Sequence, residues 1–175
     1  MTQIIERLTE GNRNYLMTGA DRTLREETAE RGQHPYAIVV CCSDSRVIPE
    51  RIFSAELGDL FVVRVAGNVL DLHQLGSIEY AAAHLHCGLV VMLGHTRCGA
   101  VEAALSDHRE GWIFSILDEI HQAIGDEQDP DRACRLNVLH GVERLRRAFK
   151  RHPELKAVEV RGAVYDVRSG AVEWL

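Results

Sequence analysis

The sequence predicts a single α/β domain with a central, mostly parallel β-sheet that is flanked by helices. Three short apolar runs rich in β-branched residues, 36–42, 60–65 and 89–94, have the length and composition of strands buried on both faces. Segments with helical spacing of apolar residues lie between and after these runs, and such alternation is typical of a parallel sheet. A chain of 175 residues has the length of one domain, so we expect residues 1–175 to form a single unit.

Two helices are predicted before the first strand. Apolar residues recur at helical spacing over 4–16, which favours an amphipathic helix. In the next segment Thr23 is followed three residues later by Glu26, a capping-box pattern, and Gly32 is expected to end that helix. We therefore expect about residues 1–32 to form a helical arm at the amino end.

The remaining elements follow from the same signals. Pro49 suits the first turn of a short helix. The other predicted helices cover residues 75–86, 99–105, 111–124 and 131–151. Two final strands are predicted over 157–165 and 171–175, joined by a turn at 168–170.

Composition and charge exclude several functional classes. The chain carries 26 acidic and 20 basic residues, a formal net charge of −6, which argues against a broad nucleic-acid-binding surface. The longest apolar runs are strand-sized and far too short to span a membrane. The first residues lack the basic start and apolar stretch of a secretory signal. We expect a cytoplasmic protein without a nucleic-acid or membrane partner.

The five cysteines do not indicate a disulfide framework, because their number is odd and a domain of this size needs no covalent crosslinks. In a cytoplasmic protein, cysteines are more often metal ligands, nucleophiles or core residues. We interpret Cys41, Cys87 and Cys134 as buried core thiols, since no partner pattern surrounds them. Cys42 and Cys98 belong to polar motifs and predict chemistry.

Two short polar motifs, residues 42–46 (CSDSR) and 95–98 (HTRC), directly follow predicted parallel strands. In open α/β sheets, ligands bind at the carboxyl ends of the strands, so we expect both motifs to converge on one site. Cys42, His95 and Cys98 together form a Cys₂His set, which zinc uses in catalytic sites with an open fourth position. A structural zinc site and a site without metal are the alternatives.

Asp44 and Arg46 alternate with Cys42, so on an extended stretch the three side chains point to the same side. Asp44 either occupies the fourth zinc position or accepts a hydrogen bond from a zinc-bound water, and Arg46 can hold it off the metal. The simpler alternative is an ion pair that only orders the loop. The spacing does not match a phosphatase signature, and the glycines near 94 and 99 do not form a nucleotide-binding loop.

The motifs CSDSR (42–46), RVAGN (64–68) and GHTRCGAV (94–101) resemble those of the β-class carbonic anhydrases, and most closely those of the plant-type branch. The resemblance extends from GNRNY (11–15) to GAVYDVRSG (162–170) and so covers nearly the whole chain. It implies a zinc enzyme that catalyses the reversible hydration of CO₂ to bicarbonate and a proton.

The resemblance also implies roles for individual residues. By position, the ligands of Zn²⁺ are Cys42, His95 and Cys98. Asp44 and Arg46 match the catalytic dyad that assists a zinc-bound hydroxide.

The residues that match the substrate-binding positions of the family are Gln33, Phe61, Ala66, Tyr80 and Gly99. In that family Gln33, Phe61 and Tyr80 come from the neighbouring subunit, so the resemblance implies a homodimer or a multiple of dimers. Three alternatives compete with CO₂ hydration: hydrolysis of carbonyl sulfide or carbon disulfide at the same zinc site, a non-catalytic zinc-binding relative, and thiol redox sensing.

Overall fold

The structure of the protein is a computed structural model, and it describes residues 2–19, 21–106 and 111–175. The strands in these residues are β1 (Ala37–Cys41), β2 (Leu60–Arg64), β3 (Leu89–His95), β4 (Glu159–Tyr165) and β5 (Val172–Trp174). They form one sheet in the order β2-β1-β3-β4-β5. The first four strands run parallel and β5 runs antiparallel to β4. The predicted α/β fold class is confirmed.

Helices of very different length surround this sheet. Within the described residues they are α1 (Thr2–Met17), α2 (Arg22–Arg31), α3 (Pro49–Ile52), α4 (Leu72–His84), α5 (Gly99–Leu105), α6 (Phe114–Ile124) and α7 (Pro130–Phe149). Short 3₁₀ turns occupy Ala66–Asn68, Gly111–Ile113 and Pro153–Leu155. In this part of the chain no helix is both long and apolar enough to cross a bilayer.

Strands β1 and β3 are buried on both faces, as their continuous apolar sequence predicts. For β2 this prediction is wrong, because β2 is an edge strand and only Val63 in it is buried. All five residues of β1 are buried. Ile38 and Val40 point into the large core cluster that includes residues of α4 and α7, whereas Val39 and Cys41 point into a smaller cluster on the opposite face. A third cluster joins α5, α6 and the start of α7 beside the carboxyl ends of β1 and β3.

Helix α4 begins at Leu72, three residues before the predicted start. The carboxylate of Asp71 accepts the backbone N–H groups of His73 and Gln74, and the Gln74 side chain accepts the N–H of Asp71. This is a capping box built on Asp, so the helix gains a full turn before its apolar pattern begins.

The capping box predicted for α2 is wrong. That helix begins at Arg22, and its N-cap residue Asp21 has a left-handed backbone (φ 55°) without a side-chain cap bond. Thr23 therefore lies inside the first turn. The predicted end is confirmed, because the N–H of Gly32 bonds the carbonyl of Thr28.

The two helices of the amino-terminal arm bury none of their residues. Ile4, Ile5 and Leu8 of α1 are 67%, 60% and 71% exposed. The amphipathic pattern predicted for this segment thus forms a helix whose apolar side chains stay largely exposed among the residues that the structure describes.

Candidate active site

Three metal-binding side chains meet at the carboxyl ends of two neighbouring strands. Cys42 follows β1, His95 is the last residue of β3, and Cys98 directly precedes α5. The parallel register pairs Cys41 with Leu93, which brings the two strand ends to the same level. The two Sγ atoms and an imidazole nitrogen lie within 4.8 Å of one another, and all three residues are buried. The convergence predicted from the two motifs is confirmed.

The orientation of His95 shows which of its nitrogens faces the thiols. Its Nδ1 lies 2.9 Å from the carbonyl oxygen of Thr96, and because a carbonyl only accepts, Nδ1 carries the proton and donates it. The other nitrogen, Nε2, is buried and has no hydrogen-bond partner among the described residues. A buried acceptor beside two thiols fits a metal ligand, and Cys₂His is a zinc donor set.

The thiols of Cys42 and Cys98 have pKa values shifted in opposite directions. The Cys98 thiol donates a hydrogen bond to Cys42, and the backbone N–H groups of Asp44 and Gly67 add further bonds, so the pKa of Cys42 is lowered. The Gly67 N–H lies 3.3 Å from the Cys42 Sγ. The pKa of Cys98 is raised, since its proton is bonded to Cys42 and the residue is buried. Because Cys42 accepts these bonds, it is the more readily ionised of the two thiols, and the thiolate is the form that binds metal.

Asp44 and Arg46 form a bidentate pair. Arg46 Nε donates to Asp44 Oδ1 at 2.9 Å and Nη2 donates to Oδ2 at 2.7 Å, while the Arg46 backbone N–H also donates to Oδ1. The side-chain bonds from Arg46 hold the pKa of Asp44 far below its usual range. The same guanidinium donates to the carbonyl of Arg97 at 3.1 Å, which links the two motifs. Asp44 is not one of the three side chains that converge as metal ligands.

Several residues that support the site were missed by the sequence analysis. Arg64 donates to the carbonyl oxygens of Asp44 (2.8 Å) and Cys42 (3.3 Å) and so supports the loop after β1. Asn137, buried on α7, donates to the carbonyl of Gly67 at 2.8 Å. These side chains bind backbone groups of residues distant in sequence. The signal that points to Arg64 is its place in the RVAGN segment.

The predicted substrate-binding residues fall into two groups. Gly99 directly follows Cys98, and Ala66 directly precedes Gly67, whose N–H donates to the Cys42 Sγ. The rings of Phe61 and Tyr80 are 6.2 Å apart, and Tyr80 is 48% exposed.

Gln33 and Phe61 line two separate surface clefts, and neither cleft contains Cys42, His95 or Cys98. Within one chain, therefore, the structure does not gather Gln33 and Phe61 around the metal set.

Known proteins share both the sequence and the fold. The family model described as carbonic anhydrase matches residues 37–172. Carbonic anhydrase 2 of Mycobacterium tuberculosis is 55% identical over 82 residues, which are 47% of this chain and 40% of that protein. The match thus spans less than half of the mycobacterial relative. A carbonic anhydrase of Synechocystis is 36% identical over 98% of this chain and 70% of its own length.

The likeness in structure extends over the whole chain. One of two β-carbonic anhydrases of the fungus Sordaria macrospora, described as tetrameric, superimposes with a TM-score of 0.79 and 27% identity, covering 100% of this chain and 98% of that one. The match over residues 37–172, the 36% identity to the Synechocystis protein and the shared fold show that this chain belongs to the β-carbonic anhydrase family.

Proposed function

We propose that this protein catalyses the reversible hydration of CO₂ to bicarbonate and a proton, with Zn²⁺ held by Cys42, His95 and Cys98. The observation that carries the proposal is the buried Cys₂His set, with a free imidazole nitrogen, beside an ionised Asp–Arg pair. Zn²⁺ bound there supplies an activated water near neutral pH, which is the nucleophile that CO₂ hydration requires.

In this proposal Asp44 orients the attacking water. Its pKa is lowered by the bonds from Arg46, so the carboxylate is a weak base that accepts a hydrogen bond and does not keep the proton at neutral pH. Arg46 holds both carboxylate oxygens of Asp44 in place, and Arg64 holds the backbone carbonyls of Cys42 and Asp44. A fixed acceptor of this kind aims the lone pair of the water at the CO₂ carbon.

The sequence leaves open a closed state in which Asp44 itself becomes the fourth ligand. That state requires the carboxylate to leave three hydrogen bonds from Arg46. We therefore propose the paired conformation as the active one, and the closed state stays a prediction.

We further propose that the active unit is a homodimer or a multiple of dimers. Gln33, Phe61 and Tyr80 would then contribute to the substrate pocket of the neighbouring subunit. The clefts that Gln33 and Phe61 line do not include the metal set of their own chain, and Tyr80 is half exposed. The tetrameric assembly described for the Sordaria relative supports a multimeric unit.

Stopped-flow CO₂ hydration tests the proposal, on protein of known zinc content and from about pH 6.5 to 9. We expect about one zinc per chain and a rate that rises with pH. No rate above buffer with zinc bound would overturn the assignment. Carbonyl sulfide and carbon disulfide are the next substrates, because they are linear molecules like CO₂; if all three fail, the outcome is a non-catalytic relative.

A further inference from the structure

The residue after His95 is held in place by the turn between β4 and β5. The Thr96 N–H donates to the carbonyl of Tyr165 at 3.0 Å. Its hydroxyl donates to Asp166 Oδ2 at 3.2 Å and accepts the N–H of Val167, also at 3.2 Å. Three hydrogen bonds therefore join Thr96 to a turn about 70 residues further along the chain.

Thr96 in turn determines how His95 is oriented. The carbonyl oxygen of Thr96 is the acceptor for Nδ1 of His95 at 2.9 Å. That bond fixes the tautomer and the rotation of the imidazole, and it turns Nε2 toward the two thiols. Any movement of the Thr96 peptide would rotate this acceptor away from Nδ1.

The turn itself is held by bonds that do not involve Thr96. Asp166 Oδ1 accepts the N–H groups of Arg168 (3.1 Å) and Ser169 (2.6 Å). The Asp166 backbone bonds Ala171 and Gly170. Asp166 thus uses one carboxylate oxygen for its own turn and the other for Thr96, and it connects a stable hairpin to the metal motif.

We propose that Asp166 and Thr96 are positioning residues for the metal: together they hold the carbonyl that orients the His95 imidazole. The inference rests on the proposed zinc site and adds two supporting residues to it. Neither residue touches the reacting atoms. Loss of a group that orients a ligand typically weakens metal affinity about 10- to 100-fold.

A merely structural role in the hairpin predicts a different result, and Ser169 allows the two roles to be separated. The Ser169 hydroxyl accepts the N–H of Ala171 at 3.3 Å within the same turn. Ser169→Ala therefore weakens the turn and leaves the Asp166–Thr96 bond in place. Thr96→Ser keeps the hydroxyl and serves as the conservative rescue, whereas Thr96→Val removes it at nearly equal volume.

The experiment measures Zn²⁺ affinity of the full chain by competition with a chromophoric chelator, together with the absorption spectrum of the Co²⁺-substituted protein and the Tm of the metal-free protein. We expect Thr96→Val and Asp166→Ala to raise the Zn²⁺ Kd at least about tenfold and to shift the Co²⁺ ligand-field bands. We expect Thr96→Ser and Ser169→Ala to stay within about threefold of wild type.

The inference is overturned if Asp166→Ala raises the Zn²⁺ Kd by less than about tenfold. It is also overturned if Ser169→Ala weakens Zn²⁺ binding as much as Asp166→Ala does. Asp166→Ala leaves the Thr96 hydroxyl in place, so it carries the test if Thr96→Val does not fold. Because Asp166→Ala also removes the two Oδ1 bonds of the turn, its Kd and its metal-free Tm are compared with those of Ser169→Ala, which weakens only the turn. Zn²⁺ binding by the wild-type protein distinguishes a failure of the positioning role from a failure of the proposed function. If wild type binds no Zn²⁺, both fail; if wild type binds it and the variants bind equally well, only the positioning role fails.

Discussion

At the scale of single residues, two adjacent cysteines have opposite chemistry. Cys41 is fully buried, and burial raises the pKa of its thiol to about 12. Hydrogen bonds from Cys98 and from backbone N–H groups lower the pKa of Cys42. The alternation of a strand sends the two side chains to opposite faces, into different packing clusters. A protonated, inaccessible Cys41 is a core thiol and is unsuited to redox sensing.

This contrast gives a matched pair of variants. Cys42→Ala should abolish stoichiometric zinc binding, because it removes one of three ligands. Cys41→Ala should keep about one zinc per chain and lower the free energy of unfolding by about 1 kcal/mol, the cost of a small cavity. Metal analysis after dialysis measures the zinc content of both variants, and urea denaturation measures their free energy of unfolding. Loss of zinc from the Cys41 variant would contradict the assignment of the ligands.

The second prediction concerns Asp44. Asp44→Asn should keep the zinc and lower kcat about 100-fold or more, because an amide lacks the charge and the second acceptor oxygen that Arg46 binds. Stopped-flow rates on zinc-loaded protein measure this. Asp59→Asn is the control, since that carboxylate only accepts the N–H of Glu56 in a turn. Near wild-type turnover in Asp44→Asn would remove Asp44 from the mechanism.

The pH dependence of the pair follows from the sign of the shift. The pKa of Asp44 is lower in the folded protein than its unfolded value of 3.8, because of the hydrogen bonds from Arg46. The contribution of the pair is therefore fully present above pH 3.8 and is lost only as the pH falls through the folded pKa. The charge of Asp44 stays constant in the neutral range, so the expected rise of activity there has another origin.

At the scale of secondary structure, the contact between β3 and α7 positions the metal motif. Gly94 directly precedes His95, and a Cβ at this position would overlap with Val138 Cγ2 on α7. The helix packs this closely on the strand because Gly94 has no side chain. Asn137, the neighbour of Val138, supports the Gly67 loop from the same helix.

Gly94→Ala should therefore destabilise the protein by about 1–3 kcal/mol through overpacking, with a fall in Tm of roughly 2–4 °C per kcal/mol. Gly76→Ala is the matched control. Gly76 lies inside α4, and a Cβ added there would meet no other atom within 4 Å, so that variant should be about 0.5–1 kcal/mol more stable. Thermal unfolding of the two variants tests this prediction, and equal Tm values would contradict the packing argument.

At the scale of the whole molecule, the two helices of the amino-terminal arm contribute no buried residue to the fold. The apolar side chains of α1 are largely exposed, and a helix with one apolar face is normally stabilised by packing that face against a partner. In the proposed dimer, a second copy of the chain would cover the apolar face of α1, and Tyr80 and Gln33 would contribute to the substrate pocket of that second copy.

Leu8→Lys should therefore shift the protein from dimers or larger assemblies to monomers, because it places a charge in the apolar face of α1. Gln3→Lys adds the same charge on the other side of the helix and should leave the assembly unchanged. Light scattering coupled to size-exclusion chromatography measures the mass of each. A Leu8→Lys protein with wild-type mass would show that this face does not support the assembly.

The sequence by itself predicted the strands, the fold class and the three side chains that converge as candidate metal ligands. β1, β2 and β3 are continuous apolar runs, and such runs are local signals. Cys42, His95 and Cys98 could be grouped because parallel strands bring their carboxyl ends to one edge. The start of α4 was missed, since apolar periodicity does not reveal the Asp71–Gln74 capping box that precedes it.

The tertiary structure alone decided how these ligands are oriented and supported. Arg64, Asn137, Thr96 and Asp166 act through backbone carbonyls or single hydroxyl bonds, across separations of 20 to 71 residues. Contacts of this kind depend on strand register and on the close approach of α7 to β3, and neither leaves a pattern in neighbouring residues. The identity of the candidate ligands could therefore be predicted from short sequence motifs, whereas their geometry depends on how the sheet and α7 pack.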